Sequence, residues 1–150
     1  MARNIGRAGI QLLAITTVKT LLQLVAPANQ DIVIREVGIS FDGTNVTATP
    51  IDVAVLFETS AGTATALTPT KVDERTPTAL QSTAQDNFSA EPSLGGEILR
   101  WYVHPQTGLV WQATPYQNEI IVKGGDRVGL KIATTPSASI DANIYFIFEE

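Results

Sequence analysis

Apolar and polar residues alternate with a period of two along much of the chain after residue 15, a pattern typical of β-strands. The alternation is cleanest over residues 51–57, where every second side chain is Ile, Val or Phe. Residues 32–41 are apolar on both sides, which predicts a central, covered strand. In this interpretation Arg35 shares a side with Val37 and Ile39, and Glu36 shares the other with Gly38.

Gly, Pro, Asn and Asp cluster between the apolar segments and mark turns, and no segment shows convincing helical periodicity. Residues 21–25 also allow a helical turn, but the neighbouring threonines favour a strand. The Gly124-Gly125 turn predicts a hairpin between the segments on either side of it. About seven to nine short strands of this kind predict an all-β fold, an antiparallel β-sandwich or barrel. The remaining predicted strands cover residues 15–25, 64–67, 97–104, 109–111, 119–122, 127–133 and 140–148.

Two stretches depart from the β pattern. Residues 1–14 contain Arg3 and Arg7 but no acidic residue, and they are predicted to form an N-terminal arm outside the core. Residues 15–150 are predicted to form a single domain. Residues 68–95 are predicted to be a long loop with at most one short strand, near residues 78–83.

Composition narrows the function. The 150 residues fit one domain, and 10 Lys and Arg against 15 Asp and Glu give a net charge of -5. This balance argues against nucleic-acid binding, which depends on neutralising phosphates. The chain contains no Cys, and no apolar run approaches the roughly 18 residues of a membrane span. No signal-peptide pattern is seen at the N-terminus.

Recognisable catalytic chemistry is sparse. His104 is the only histidine, and neither a nucleophile elbow nor a phosphate-binding glycine loop is present. We therefore predict no catalytic, cofactor-binding or metal-binding residue, no small-molecule substrate, and no enzyme activity. A hydrolase is the weakest alternative, and it rests only on loop carboxylates. The carboxylates considered are Asp73, Glu74, Asp86, Glu91 and Glu97.

Several phrases along the chain resemble small proteins encoded in the structural modules of tailed bacteriophages. The resemblance runs from Lys19 onward and consists of turn and strand phrases without catalytic signatures. It is carried by KTLLQ at 19–23, APANQ at 26–30, GISFDG at 38–43, TALTP at 65–69, AEP at 90–92, VHPQ at 103–106, GGDRVG at 124–129 and FIFEE at 146–150.

The resemblance implies a head decoration (cement) protein on the outside of the capsid, with a jelly-roll-like sandwich and a homotrimeric state. The expected partner is the major capsid protein, and the expected location is the virion, after synthesis in the bacterial cytoplasm. We expect the arm to contact the capsid by adding a strand to a neighbouring sheet. The arm residues predicted to make this contact are Arg3, Ile5, Arg7 and Ile10.

An apolar strand face is predicted to form the oligomer interface through Leu99, Trp101 and Tyr145. A second hypothesis is a head-fibre, tail or baseplate component that binds a host-surface glycan. It is motivated by Trp101, Tyr102, Trp111 and Tyr116, since aromatic side chains with polar groups serve sugar platforms as well as cores.

Overall fold

A computed structural model describes residues 4–42, 49–115 and 117–150. These residues form strands joined by turns, with no helix among them. The strands are β1 (Ile5–Ile15), β2 (Lys19–Val25), β3 (Ile32–Phe41), β4 (Ile51–Glu58), β5 (Thr63–Leu67), β6 (Thr70–Lys71), β7 (Thr83–Ala90), β8 (Leu94–Val103), β9 (Gly108–Gln112), β10 (Ile120–Val122), β11 (Arg127–Ile132) and β12 (Ile140–Glu149).

The strands form two six-stranded sheets that pack face to face. Sheet A has the order β10-β3-β12-β1-β6, with β9 also paired to β3, and sheet B has the order β5-β7-β2-β11-β4-β8. Every pairing is antiparallel. The predicted all-β antiparallel sandwich is therefore confirmed.

Strand pairing follows the chain inward from its two ends. The first strand, β1, pairs with β12, and β2 pairs with β11. Next, β3 pairs with β9 and β10, and β4 pairs with β8. The chain thus resembles a long hairpin wrapped around a common core, with successive strand pairs placed in alternate sheets.

The core lies between the sheets and is built from the inward side of each strand. Phe146 and Phe148 on β12 face Leu22, Leu24 and Leu130 of sheet B, and all five are fully buried. Burying a side chain of this size contributes roughly 1.5–3 kcal/mol. The predicted C-terminal strand is confirmed as part of this core.

The predicted N-terminal arm is wrong for residues 4–14, because they belong to the sandwich. Strand β1 is paired with β12 from Ile5 to Ile15, and Ala8 on its inner side is fully buried. Gly6 lies opposite Phe148, where a Cβ atom would come within 2.5 Å of the ring. Gly6 is therefore packed closely against an aromatic ring of the core and does not belong to a detached segment. Arg3 lies outside the described residues.

Two local predictions are also wrong. The Gly124-Gly125 turn does not close a hairpin, because β10 pairs in sheet A and β11 pairs in sheet B. The turn itself forms, with Gly125 at a φ of 86°. The glycine pair therefore predicted the turn correctly, but not which strands pair on either side of it. Within residues 68–95, the strand lies at Thr83–Ala90 instead of residues 78–83, and β6 adds two more paired residues.

Candidate functional site

Two adjacent rows of side chains cross the outer face of sheet A, the side away from sheet B. Cross-strand register defines both rows, because directly paired residues point to the same side. The first row is Gly9, Tyr145, Gly38 and Val110, and the second is Arg7, Ile147, Glu36 and Gln112. We call these eight residues the sheet A face.

The ring of Tyr145 forms the centre of the sheet A face. It lies across Gly38 of the neighbouring strand, where a Cβ atom would overlap the ring. The guanidinium of Arg7 lies over the same ring, 5.2 Å from its centroid. This is within the distance at which a cation is attracted to an aromatic face. Arg7 and Tyr145, predicted separately as contact residues, are thus in direct contact.

Glu36 anchors the other end of the tyrosine. The Tyr145 hydroxyl donates a hydrogen bond to Glu36 Oε1, and Gln112 Nε2 donates to Glu36 Oε2 at 2.8 Å. Desolvation, together with the hydrogen bond to Glu36 and the charge of that carboxylate, raises the pKa of Tyr145 to about 12. The phenol therefore stays protonated and acts as a donor at physiological pH.

Two shallow depressions lie along the sheet A face. One of about 320 Å³ is bordered by Arg7, Ser40, Val110, Asn143 and Tyr145. The other, of about 450 Å³, lies on the far side of Glu36 and Gln112 and extends to Pro115. The sheet A face therefore borders two depressions and places aromatic, charged and amide groups beside them.

A bulge in β3 places Arg35 next to Glu36 at the border of the second depression. The pairing with β12 shifts between Ile147 and Phe148, so Arg35 is inserted beside Glu36. The guanidinium of Arg35 pairs with Glu119, and its Nε donates to Glu149 Oε2 at 2.7 Å. The predicted sharing of one side by Arg35, Val37 and Ile39 is therefore wrong, because the bulge breaks the alternation.

The other predicted contact residues do not join this face as a group. Ile5 lies on the outer side of β1 and is half-buried, whereas Ile10 points inward opposite Ile144. Leu99 and Trp101 lie on β8 in sheet B and pack against the core. The structure therefore does not bring Leu99, Trp101 and Tyr145 together on one surface.

The aromatic residues considered for a glycan platform are also dispersed. Trp101 and Trp111 pack against the core from different sheets, while Tyr102 is 76% exposed on β8. Tyr116 lies outside the described residues. Tyr145 borders the depression of about 320 Å³ on sheet A.

The carboxylates considered for hydrolysis are scattered. Hydrogen bonds from Arg75 lower the pKa of Asp73 to about 2, while burial raises the pKa of Asp86 on β7. Glu91 accepts a hydrogen bond from the Thr20 hydroxyl at 2.6 Å. In the described part of the chain, no group of three or more His, Cys, Asp and Glu residues is placed to hold a metal ion.

Sheet B carries a second polar cluster that sequence patterns did not reveal. Glu58 projects from the outer side of β4 and is 4% exposed. Gln23 Nε2 donates a hydrogen bond to its Oε2 at 2.5 Å, and the Thr20 hydroxyl lies 3.4 Å from its Oε1. Glu91 and Lys131 lie close by, with Lys131 Nζ 3.9 Å from Glu91 Oε2.

Burial dominates the electrostatics of Glu58. Desolvation raises its pKa to about 7, although the hydrogen bonds from Gln23 and Thr20 and the charge of Lys131 oppose the rise. The nearby charge of Glu91 adds to it. Glu58, Gln23 and Thr20 are buried, whereas Glu91 is exposed, and Glu58 borders a depression of about 240 Å³ on this side of sheet B.

Comparison of the chain with models of protein families, with curated proteins and with solved structures finds no match. Within the described residues, the chain contains no apolar helix of membrane-spanning length.

Proposed function

We propose that this protein is a structural virion protein that binds the outer surface of a bacteriophage capsid and stabilises it through protein–protein contacts. The observation that carries the proposal is the sheet A face, with Tyr145 held between Arg7 and Glu36. Tyr and Arg are enriched among residues that dominate binding energy at protein interfaces. The phrases that resemble phage structural proteins supply the identity of the partner, the major capsid protein.

Preorganisation suits this face to binding. The Tyr145 ring is fixed by Gly38 beneath it, Arg7 over it and Glu36 at its hydroxyl, so little side-chain freedom is lost on association. Val110, which is 58% exposed, adds an apolar contact at the end of the same row. In this proposal the sheet A face replaces the free arm as the surface that contacts the capsid.

The strand pairing supports the finer proposal of a jelly roll. A jelly roll contains eight strands in two sheets. Here β1, β12, β3 and β9 are neighbours in sheet A, and β2, β11, β4 and β8 are neighbours in sheet B. The remaining strands fit as additions to this plan. The virion location is proposed on the resemblance alone, and the absence of enzyme activity is proposed on the resemblance together with the sparse catalytic chemistry of the sequence.

The proposal is tested by adding purified protein to capsids that lack it and quantifying bound copies against the major capsid protein by mass spectrometry. We expect a ratio near one for wild type, and at least about a tenfold loss of affinity for Tyr145→Ala and Arg7→Glu. Lys123→Glu is the matched control, since it reverses an exposed charge on a distant turn. Absence of binding by the wild type, or equal binding by all variants, would refute the proposal.

A glycan-binding role is the second candidate. The depression of about 320 Å³ favours it, because Tyr145, Asn143 and Ser40 place polar groups that can hydrogen-bond a sugar along its border. The expected result is a glycan-array signal that Tyr145→Ala abolishes and Lys123→Glu preserves. A few copies per particle combined with such a signal would replace the capsid-binding proposal with this one.

A further inference from the structure

Strand β8 forms an edge of sheet B with one side unpaired. Its ten residues pair with β4 on one side, and among the described residues no strand pairs with the other. Register shifts are confined to the first half of β8, while Leu99 to Val103 pair one to one with Val55 to Ile51. A regular unpaired edge presents backbone N–H and C=O groups that can bind another strand.

Side chains near this edge are also incompletely covered. Leu99 and Trp101 point toward the core but are only half-buried, because no further strand extends the sheet. Tyr102, on the opposite side of the strand, is 76% exposed. Natural sheets usually shield such edges with charge, proline or short strands, and residues 99–103 contain only one charged residue and no proline.

We propose that two copies of the chain associate by antiparallel pairing of residues 99–103, about a two-fold axis through Trp101. This axis stands perpendicular to the sheet, so each residue meets a partner residue on the same side. The register places Trp101 opposite Trp101, Leu99 opposite Val103 and Arg100 opposite Tyr102. Sheet B would then continue from one copy into the other.

Each of these pairs is complementary, which is the reason that a second copy fits the edge. Trp101 with Trp101 and Leu99 with Val103 would extend the apolar core across the boundary, and aromatic cross-strand pairs stabilise sheets. Arg100 facing Tyr102 sets a cation beside an aromatic ring on the outer side, twice by symmetry. The sequence Leu-Arg-Trp-Tyr-Val is therefore chemically self-complementary when read antiparallel.

On the outer side of this edge, the Arg100 side chain is held in place by two acidic residues of sheet B. Arg100 Nε donates to Asp52 Oδ1 at 2.9 Å, and Arg100 NH1 lies 3.1 Å from Glu97 Oε2. These contacts hold the guanidinium over the sheet, with 47% of the side chain exposed. Pairing would cover that exposed part with the ring of Tyr102 from the second copy.

This interface is independent of the proposed capsid contact, because β8 belongs to sheet B and the proposed contact lies on sheet A. It has two-fold symmetry, so it also differs from the trimer that the resemblance implies. The molecular mass in solution distinguishes these outcomes without any capsid.

The test is sedimentation equilibrium or light scattering on the full chain, with three variants. We expect the wild type to be a dimer, and Tyr102→Arg to weaken dimerisation by about tenfold or more, because it sets like charges opposite each other at two positions. Tyr102→Glu should remain dimeric, since the new carboxylate faces Arg100. Val110→Arg is the control, because it adds the same charge on sheet A and should leave the dimer intact.

Cross-linking tests the register. The chain has no Cys, so Tyr102→Cys gives each copy a single thiol. The two thiols would be diagonal neighbours, roughly 7–8 Å apart between Cα atoms, and a short bis-maleimide should join them, whereas Val110→Cys should not react in this way. A monomeric or trimeric wild type, a dimer that Tyr102→Arg leaves unchanged, or equal cross-linking of both cysteine variants would overturn the proposal. Melting curves of each variant show that the fold is retained.

Discussion

The outer faces of the two sheets each place a glutamate beside a glycine, but the two glutamates differ in burial. On sheet A, Glu36 is partly exposed and accepts hydrogen bonds from Tyr145 and Gln112 at the border of the depression of about 450 Å³. On sheet B, Glu58 lies over Gly129, where a Cβ atom would overlap its carboxylate, and is almost fully buried. The comparison teaches that the same pair of residue types can lie in a partly exposed surface or in an almost fully buried cluster, depending on what packs around it.

The energetic consequence differs in the same way. Around Glu58, desolvation outweighs the hydrogen bonds it receives and raises its pKa to about 7. On the sheet A face, the Glu36 carboxylate accepts hydrogen bonds from Tyr145 and Gln112. The raised pKa of Tyr145 keeps its phenol protonated. Changes to sheet B should therefore alter stability, whereas changes to the sheet A face should alter binding.

The largest expected effect comes from removing β1, on which the sheet A face depends. Deleting residues 1–14 would leave Phe146 and Phe148 on an exposed edge of sheet A. We expect loss of the cooperative unfolding transition, measured by circular dichroism. Arg7→Ala, which retains the strand, should melt normally. A stable protein without residues 1–14 would show that they are an arm after all.

The pH dependence of stability isolates the covered glutamate. The unfolded chain ionises Glu58 near its ordinary pKa of 4.5, whereas the folded chain holds the proton to about 7. The folded state therefore binds more protons between these values, and Glu58 should lower stability as the pH rises from 4.5 through 7, by up to about 3 kcal/mol.

Glu58→Gln should remove this loss, because it keeps an acceptor for Gln23 and carries no charge. The measurement is urea unfolding of both proteins at pH 5 and pH 8, with Glu36→Gln as the control on sheet A. We expect the Glu58 variant to be more stable than wild type at pH 8 only. An equal difference at both pH values would show that Glu58 is ionised throughout.

Paired glycine substitutions sharpen the comparison further. Gly129→Ala forces a methyl group against the buried carboxylate of Glu58 and would pull it from its hydrogen bonds with Gln23 and Thr20, so we expect destabilisation of about 2 kcal/mol. Chemical denaturation measures the change. An effect below that of a typical surface substitution would mean that Glu58 is free to rearrange.

The smallest effect on stability is expected at Gly38. Gly38→Ala displaces the Tyr145 ring, but the ring lies at the surface and can move outward, so the change should stay below about 1 kcal/mol. Capsid affinity should nonetheless fall, because the ring is no longer held beside Glu36. Normal capsid affinity together with a large loss of stability would reverse the roles assigned to the two faces.

Sequence patterns predicted much of this fold where alternation was local. The strand over residues 32–41 is confirmed with the same bounds, and residues 51–57 form most of β4. Alternation did not show that the outer side of β4 is covered as well, since Asp52 and Leu56 are buried there. Whether other segments pack against the outer side of a strand depends on the tertiary fold. The alternation of apolar and polar residues along that strand does not show it.

The candidate site was less accessible to prediction. Arg7 and Tyr145 were identified, but on the assumption of a free arm and a separate interface. Their contact depends on pairing between β1 and β12 and on the absence of a side chain at Gly38. Glu36 was missed as a partner because no local pattern shows which strand lies beside it.

The pairing of the first strand with the last has a kinetic consequence. Ile5 and Glu149 are neighbours in sheet A although 144 positions separate them along the chain. Closing such a distant contact costs chain entropy before any core is gained, so folding should be slow, on the order of milliseconds to seconds. During synthesis, the strands made first must wait with apolar sides exposed until the last strand emerges, and rapid production should therefore favour aggregation over folding.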